Sequence, residues 1–359
     1  MATATPSHGA GPAHPADRDG AAPRLPRPRG ELSAGVVAYL TGDRTRLPSA
    51  DEVRRADPFG EDVQLLLYVL YETHYRGFAT VDEDLEWDPS LLAVRAAAEQ
   101  HFLAAVREET SGDADVAQAV GSLLVEPVGD DGTSVTHHLL REARLDQLRE
   151  YAALRSLYHL KEADPHLWVV PRLRGRAKAA MVAIEYDEFG AGRAEAVHAH
   201  LFALLMADLG LDTTYGTYVD VAPAELLATV NMMSLFGLHR SLRGALVGHF
   251  AAVEITSSPG SRRLAQALRR AGAGAAAQRF YDEHVEADAV HEQVVRHEVI
   301  GGLLEDEPWL AADIVLGIEA TGLLEDRLAA HLLAAWRDGR TALRELPGAP
   351  APTPTDLDS

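Results

Sequence analysis

Alternating runs of Val, Ile, Thr and aromatic residues, the pattern of a half-buried strand, are nearly absent from this 359-residue chain. Ala, Leu, Arg and Glu recur instead at three- and four-residue spacing, so the chain buries its apolar side chains by packing helix on helix. The expected fold class is all-α. From Glu61 to Tyr75, Leu65, Leu66, Val69 and Leu70 form one stripe, which Leu67 and Tyr68 widen, before Gly77 stops the helix. Asp88 is the expected N-cap of a run from Pro89 to Glu108. Further helices are expected at 135–161, 171–188, 194–209, 223–236, 239–255, 260–271, 274–300 and 307–337. Breaks are expected at Pro165, Pro171, Gly190/Gly192, Pro223, Gly237, Pro259 and Gly301/Gly302.

Residues 1–30 hold almost no large apolar side chain and read as a disordered tail, as does 346–359 with its alternating prolines. Between them lie a helical arm at 31–120 and a helical core at 121–345, divided at the loop-like stretch VGDDGTS. In the arm, Trp87, Tyr71 and Tyr75 are packing residues first and candidate homodimer contacts second. Lys and Arg total 33 against 54 Asp and Glu, a net charge of −21, which speaks against nucleic acid and anionic lipid as partners. Only Lys161 and Lys178 among the basic residues are Lys, a bias attributed to coding and taken to locate nothing. No apolar run reaches about 18 residues and the N-terminus has no apolar signal segment, so a cytoplasmic chain without membrane spans is expected.

The chain has no Cys, so a metal here would be held by His and carboxylates alone. In YDEHVEADAVHEQVVRHEV, His284, Asp288 and His291 stand at i, i+4 and i+7, within about 60° of one another on a helix. In IEYDEFGAGRAEAVHAHLF, Glu188 precedes His198 by ten residues, and Gly190 and Gly192 can bend the chain so that the two side chains converge. The alternative reading of that segment places Glu185, Asp187, Glu188 and Glu195 in solvent. In YHLKEADPH, Glu162 follows a long apolar helix, and its alternative is a surface carboxylate paired with Lys161 or Arg174. Arg155, Arg193 and Arg296 stand near these segments, more as salt-bridge partners of neighbouring Glu than as substrate ligands. Three helices, each offering carboxylate or imidazole at the end of an apolar stretch, supply the inventory of a carboxylate-bridged pair of irons.

These three segments, in this order, resemble the ligand motifs of the haem-oxygenase-like dimetal (diiron) oxidases, generically the iron-containing redox enzymes. The resemblance covers about Leu140 to Ala335 and implies a haem-oxygenase-like helical bundle, with the N-terminal arm similar to helical extensions of longer members. Carried over residue by residue, it implies Glu162, Glu188, His198, His284, Asp288 and His291 as ligands and, through the metals, as the catalytic set. Glu254, thirty residues before His284 in HFAAVEITSSPGSRR, resembles an extra ligand of the N-oxygenating branch. The resemblance implies two ferrous ions and O₂ as cosubstrate, a peroxo-diferric intermediate, and N-oxygenation of an amine of an amino acid or related metabolite in a biosynthetic pathway. The alternatives are oxidative decarboxylation or C–C fragmentation of an amino or fatty acid, and a non-catalytic helical scaffold. A small amine or carboxylate substrate, an external electron donor such as a reductase, and a homodimer through the arm complete the expected partners.

Relatives on the same fold fit less well. Thiaminase-type enzymes use a cysteine nucleophile, which this chain lacks. A haem oxygenase needs one proximal His in an acid-poor pocket, not an array of His and carboxylates. The GAGR stretch at 190–193 lacks the preceding strand that a nucleotide-binding loop requires.

Overall fold

The computed structural model describes residues 22–44, 46–112, 115–125 and 132–345, with the side chains of 286–289 outside that description. Among the described residues the regular structure is helical throughout, with no strand. The N-terminal part runs Glu31–Leu40 (α1), Ala50–Arg55 (α2), Glu61–Glu72 (α3), Pro89–Glu109 (α4) and Val116–Leu123 (α5). The middle part runs Val135–Arg141 (α6), Leu145–His159 (α7), Asp164–Leu167 (α8), Gly175–Glu188 (α9), His198–Asp208 (α10) and Ala224–Leu238 (α11). Arg243–Ala271 (α12), Ala275–Val294 (α13), Gly301–Asp306 (α14) and Ala311–Arg337 (α15) complete it. No described helix is long and apolar enough to cross a membrane.

Helix α12 is the axis of the bundle and packs along both α13 and α15. The contact with α15 is closest where two glycines face opposing backbone. A Cβ on Gly248 would fall 2.0 Å from the Ile314 carbonyl oxygen, and one on Gly317 would fall 2.0 Å from that of Ala245. Helix α10 packs on α13 and α7, which closes the half of the bundle that carries the site.

The arm is not a separate layer. The apolar stripe of α3 widens until Val63 and Leu65 to Tyr71 are all buried, against α11 and α1, while α4 and α5 pack on α15. One buried apolar cluster therefore spans Leu32 to Leu343. Tyr71 is buried inside it, and Tyr75, half-buried, meets Ser234 through its hydroxyl at 3.1 Å. Trp87 alone of the three stays exposed.

Several sequence expectations change for identifiable reasons. Residues 22–30, assigned to the tail, are held in place: the Pro23 carbonyl accepts from the Ala79 N–H at 2.9 Å, and the buried Arg29 guanidinium pairs with Glu61 and the Val219 carbonyl. Polar anchoring takes the place of the missing apolar side chains. Residues 1–21, 126–131 and 346–359 lie outside the described residues. The expected helix at 135–161 is two helices, and Arg270 from α12 donates to the Leu139 and Ala143 carbonyls that the break frees. Pro259 does not end a helix, because α12 runs through it. A proline costs a helix interior about 3 kcal/mol, which the packing of α12 on two flanking helices outweighs. Gly301 and Gly302 do not break the chain either; α13 continues through a π-helical turn, Val295–Ile300, into α14.

Candidate metal centre

Six of the seven side chains implied as ligands come from five places in the bundle. Glu162 stands in the turn after α7, Glu188 is the last residue of α9, His198 the first of α10, and Glu254 lies on α12. His284 and His291 share one face of α13, seven residues apart. Helix α13 also carries Asp288, whose side chain lies outside the described residues. The turn between Glu188 and His198 is built as the glycine pair implies. Gly190 and Gly192 take φ of 69° and 80°, and a Cβ on Gly190 would sit 2.6 Å from the Ala196 backbone. Only glycine permits that approach.

The donor atoms form two groups that share one residue. Glu162, Glu188, His198 and His284 offer atoms all within 4.8 Å of one another, and so do Glu188, Glu254 and His291. Glu188 faces each group with a different oxygen. Its Oε2 stands 2.6 Å from His198 Nδ1, and its Oε1 stands 3.6 Å from His291 Nδ1. In the first group His284 Nε2 is 3.8 Å from Glu162 Oε1, and in the second His291 Nδ1 is 3.1 Å from Glu254 Oε2.

The donors fit metal cations better than one another. His198 Nδ1 and Glu188 Oε2 approach to 2.6 Å, yet His198 Nδ1 has no hydrogen-bond partner, and Glu162 Oε2 is likewise buried without one. A cation or a proton held between His198 Nδ1 and Glu188 Oε2 would satisfy both atoms. Two buried carboxylates and a third largely buried would be prohibitively costly without positive charge among them. Oxygen and imidazole donors without thiolate suit a borderline divalent metal such as iron.

Neighbouring groups orient the donors. His284 Nδ1 donates to the Phe280 carbonyl at 2.7 Å, which leaves Nε2 as the ring atom that faces Glu162. His291 turns Nδ1 to the site and Nε2 to Asp187 at 3.3 Å, a carboxylate behind an imidazole. His159 Nδ1 meets Glu162 Oε1 at 3.1 Å. Burial alone would raise the Glu162 carboxyl, but the imidazoles of His159 and His284 hold it well below the usual range.

Sequence reasoning missed His159 and the role of Asp187, and its alternative reading of the segment placed Glu185 in solvent. Asp187 and Glu195 are exposed as that reading has it, but Glu185 is buried one turn before Glu188, with no hydrogen bond to either oxygen and His166 Nδ1 at 4.0 Å from Oε1. Burial, reinforced by the Glu188 and Glu254 charges, pushes its carboxyl well above the usual range. The only signal available was its i, i−3 spacing from Glu188.

A cavity of about 300 Å³ opens onto these donors, floored by Glu162, Glu188, Glu254 and His284 and walled by Tyr151, Tyr158, Phe280 and Tyr281. Arg155 also lines it, with its charge taken by Glu325. Arg296 likewise pairs with Glu292 at 2.8 Å, and Arg193 turns back to the Gly190 carbonyl.

With the geometry in view, comparison with known proteins finds one family that the core is similar to. Residues 149–326 match the family model of the iron-containing redox enzymes. The match covers just under half of the chain, and all seven residues implied as ligands fall inside it. The all-helical bundle is the haem-oxygenase-like architecture of that family. The core of this chain is thus similar to a family of iron-containing oxidoreductases. No curated protein matches the chain.

The ion-paired imidazoles give the site a pH signature. Burial lowers the basicity of His291, but its hydrogen bond to Glu254 and the charges of Glu254 and Glu188 outweigh that and push its pKa up to about 9. In the metal-free protein this contribution to stability is complete below about pH 6.5, the unperturbed His value. It is lost as the pH rises through about 9. A metal ion must displace that proton, so metal affinity is expected to rise about tenfold per pH unit between 6.5 and 8.5 at the group that contains His291. Metal titrations at three pH values check this, and an affinity independent of pH would contradict it.

Proposed function

We propose that the site would hold two iron ions, with Glu188 among the donors to both, and that the protein uses O₂ to oxygenate the nitrogen of a small amine substrate. The observation that carries this reading is the division of Glu188, one oxygen toward each donor group. Bound ferrous ions would supply the electrons and the open coordination positions that O₂ chemistry requires. Glu162, His198 and His284 would hold one ion, and Glu254 and His291 the other, with Asp288 on the same helix as the last two histidines.

The chain's own residues set the rest. The aromatic walls exclude water, and the cavity limits the substrate to about the size of an amino acid. Glu185 is buried one turn from Glu188, with its carboxyl pushed well above the usual range. Glu254 bears on the choice between nitrogen oxidation and hydrogen abstraction from carbon, which leads to oxidative decarboxylation or C–C fragmentation. A solvent-facing Glu254 would favour the carbon reading. Glu254 is buried and turned to His291, which supports oxidation at nitrogen. A scaffold role for this bundle leaves the buried acids without a reason.

The test is oxygen uptake by iron-loaded protein in the presence of a reductant and a panel of amino acids and simple amines. One amine is expected to stimulate uptake and to yield a hydroxylamine or nitroso product with its carbon skeleton intact. Release of carbon dioxide, or of a shortened carbon skeleton, would favour the carbon reading. An absence of iron uptake would exclude both.

A further inference from the structure

A buried ion pair lies beside the site without offering it a donor atom. Lys161 and Glu72 are 2% and 0% exposed, and their charged atoms are 2.6 Å apart. Glu72 ends α3, in the arm, and Lys161 immediately precedes Glu162. The Tyr215 hydroxyl donates to the same Glu72 oxygen at 2.9 Å, and the Arg76 N–H donates to the other at 3.3 Å. The Lys161 ammonium lies 4.1 Å from the centre of the Tyr75 ring, with Tyr68 and Tyr215 completing the enclosure. Arg76 also reaches the Leu160 carbonyl at 3.5 Å.

Stability alone is a poor reason for this arrangement. Burying two charges costs more desolvation than most pairs recover, and an apolar pair of the same volume is commonly as stable. The local backbone points to another reason. Ala163, just after Glu162, has φ 74° and ψ −37°, a conformation that an alanine adopts only when its surroundings impose it. Across this turn Lys161 reaches the arm while Glu162 reaches His284. The ammonium is a compact charge on a flexible stem, which suits a three-ring enclosure better than a guanidinium fork. A chain with only two Lys among its 33 basic residues places one of them here.

We propose that Glu72 and Lys161 are a positioning pair that aims Glu162 at the metal centre, which makes α3 part of the metal-binding machinery. The proposal rests on the reading of Glu162 as a metal ligand. In it, the ion pair fixes the turn from outside, and the His159 hydrogen bond sets the carboxylate within it.

The test is titration of the full chain with Co(II), following visible absorption and heat, for four proteins. These are the parent, Glu162→Ala, the neutral double variant Lys161→Met with Glu72→Gln, and Tyr215→Phe. Glu162→Ala is expected to lose one of two Co(II) equivalents. The double variant removes both charges together, so it is expected to keep the parent's thermal midpoint while binding one equivalent about tenfold or more weaker, with a shifted cobalt spectrum. Tyr215→Phe removes one support of Glu72 and is expected to weaken the same equivalent by a smaller factor. A folded double variant with both binding constants and the spectrum unchanged overturns the positioning role and leaves Glu162 as a ligand. If Glu162→Ala keeps both equivalents, the ligand reading fails and the positioning role fails with it. Should the double variant not fold, Tyr215→Phe decides, and unchanged affinity there overturns the proposal.

Discussion

Glu188→Ala is expected to take the protein from two bound metal ions to none, while Glu162→Ala and Glu254→Ala each remove one. The asymmetry follows from the division of labour at the centre. Glu162 belongs to one donor group and Glu254 to the other, whereas Glu188 belongs to both. Removing it also leaves His198 and His291 without the carboxylate that faces each of them at 2.6 and 3.6 Å. Glu188→Gln keeps the volume and loses the charge, so it separates packing from ligation. Metal counts after anaerobic Fe(II) loading and gel filtration check the series. One ion retained by Glu188→Ala would mean that the two groups are independent.

The second large effect is on the scaffold. Gly248→Ala and Gly317→Ala are each expected to destabilise the protein by about 3 kcal/mol or more, because the added carbon meets a carbonyl oxygen that no side-chain movement can relieve. That is a large part of a typical domain's net stability of about 5–15 kcal/mol. The effect extends to function, since α12 carries Glu254 and His249 while α15 carries Thr321 and Glu325, all on the cavity wall. Gly322→Ala is the control. It lies on the same α15 helix with open space where its Cβ would be, and is expected to gain about 1 kcal/mol from helix propensity. Thermal and denaturant unfolding of the three variants checks the contrast, and equal effects at Gly322 and Gly317 would contradict it.

Much of this was legible in the sequence because helical periodicity and helix ends are local signals. Asp88 caps α4 through the Ser90 and Leu91 N–H groups, as its place before Pro89 implies. The bend at Gly190 and Gly192 was legible for the same reason, since positive φ is a property of single residues. Pro259 was misread because its local cost is set against contacts made by distant parts of the chain. What the apolar stripe of the arm packs against was not legible, because such a stripe does not say what covers it.

The site divides along the same line. The three motifs hold five of the six described donors that meet in two groups, and Glu254, from a fourth segment, is the sixth. What orients them was not legible. His159 touches Glu162 across one turn that a break interrupts, and Asp187 reaches His291 from another helix. Lys161 was set aside with a compositional bias, because nothing in its own segment says that Glu72, 89 residues earlier, stands 2.6 Å away. Glu185 was grouped with acids that do face solvent, and only its burial separates it from Asp187 and Glu195.

The most direct test of the central claim is Mössbauer spectroscopy on protein loaded with ⁵⁷Fe(II) under anaerobic conditions and then exposed to O₂. The account expects two irons per chain, magnetically coupled after oxidation into a pair with a diamagnetic ground state, because one carboxylate joins their sites. A single iron per chain, or two irons that stay magnetically independent, would contradict it.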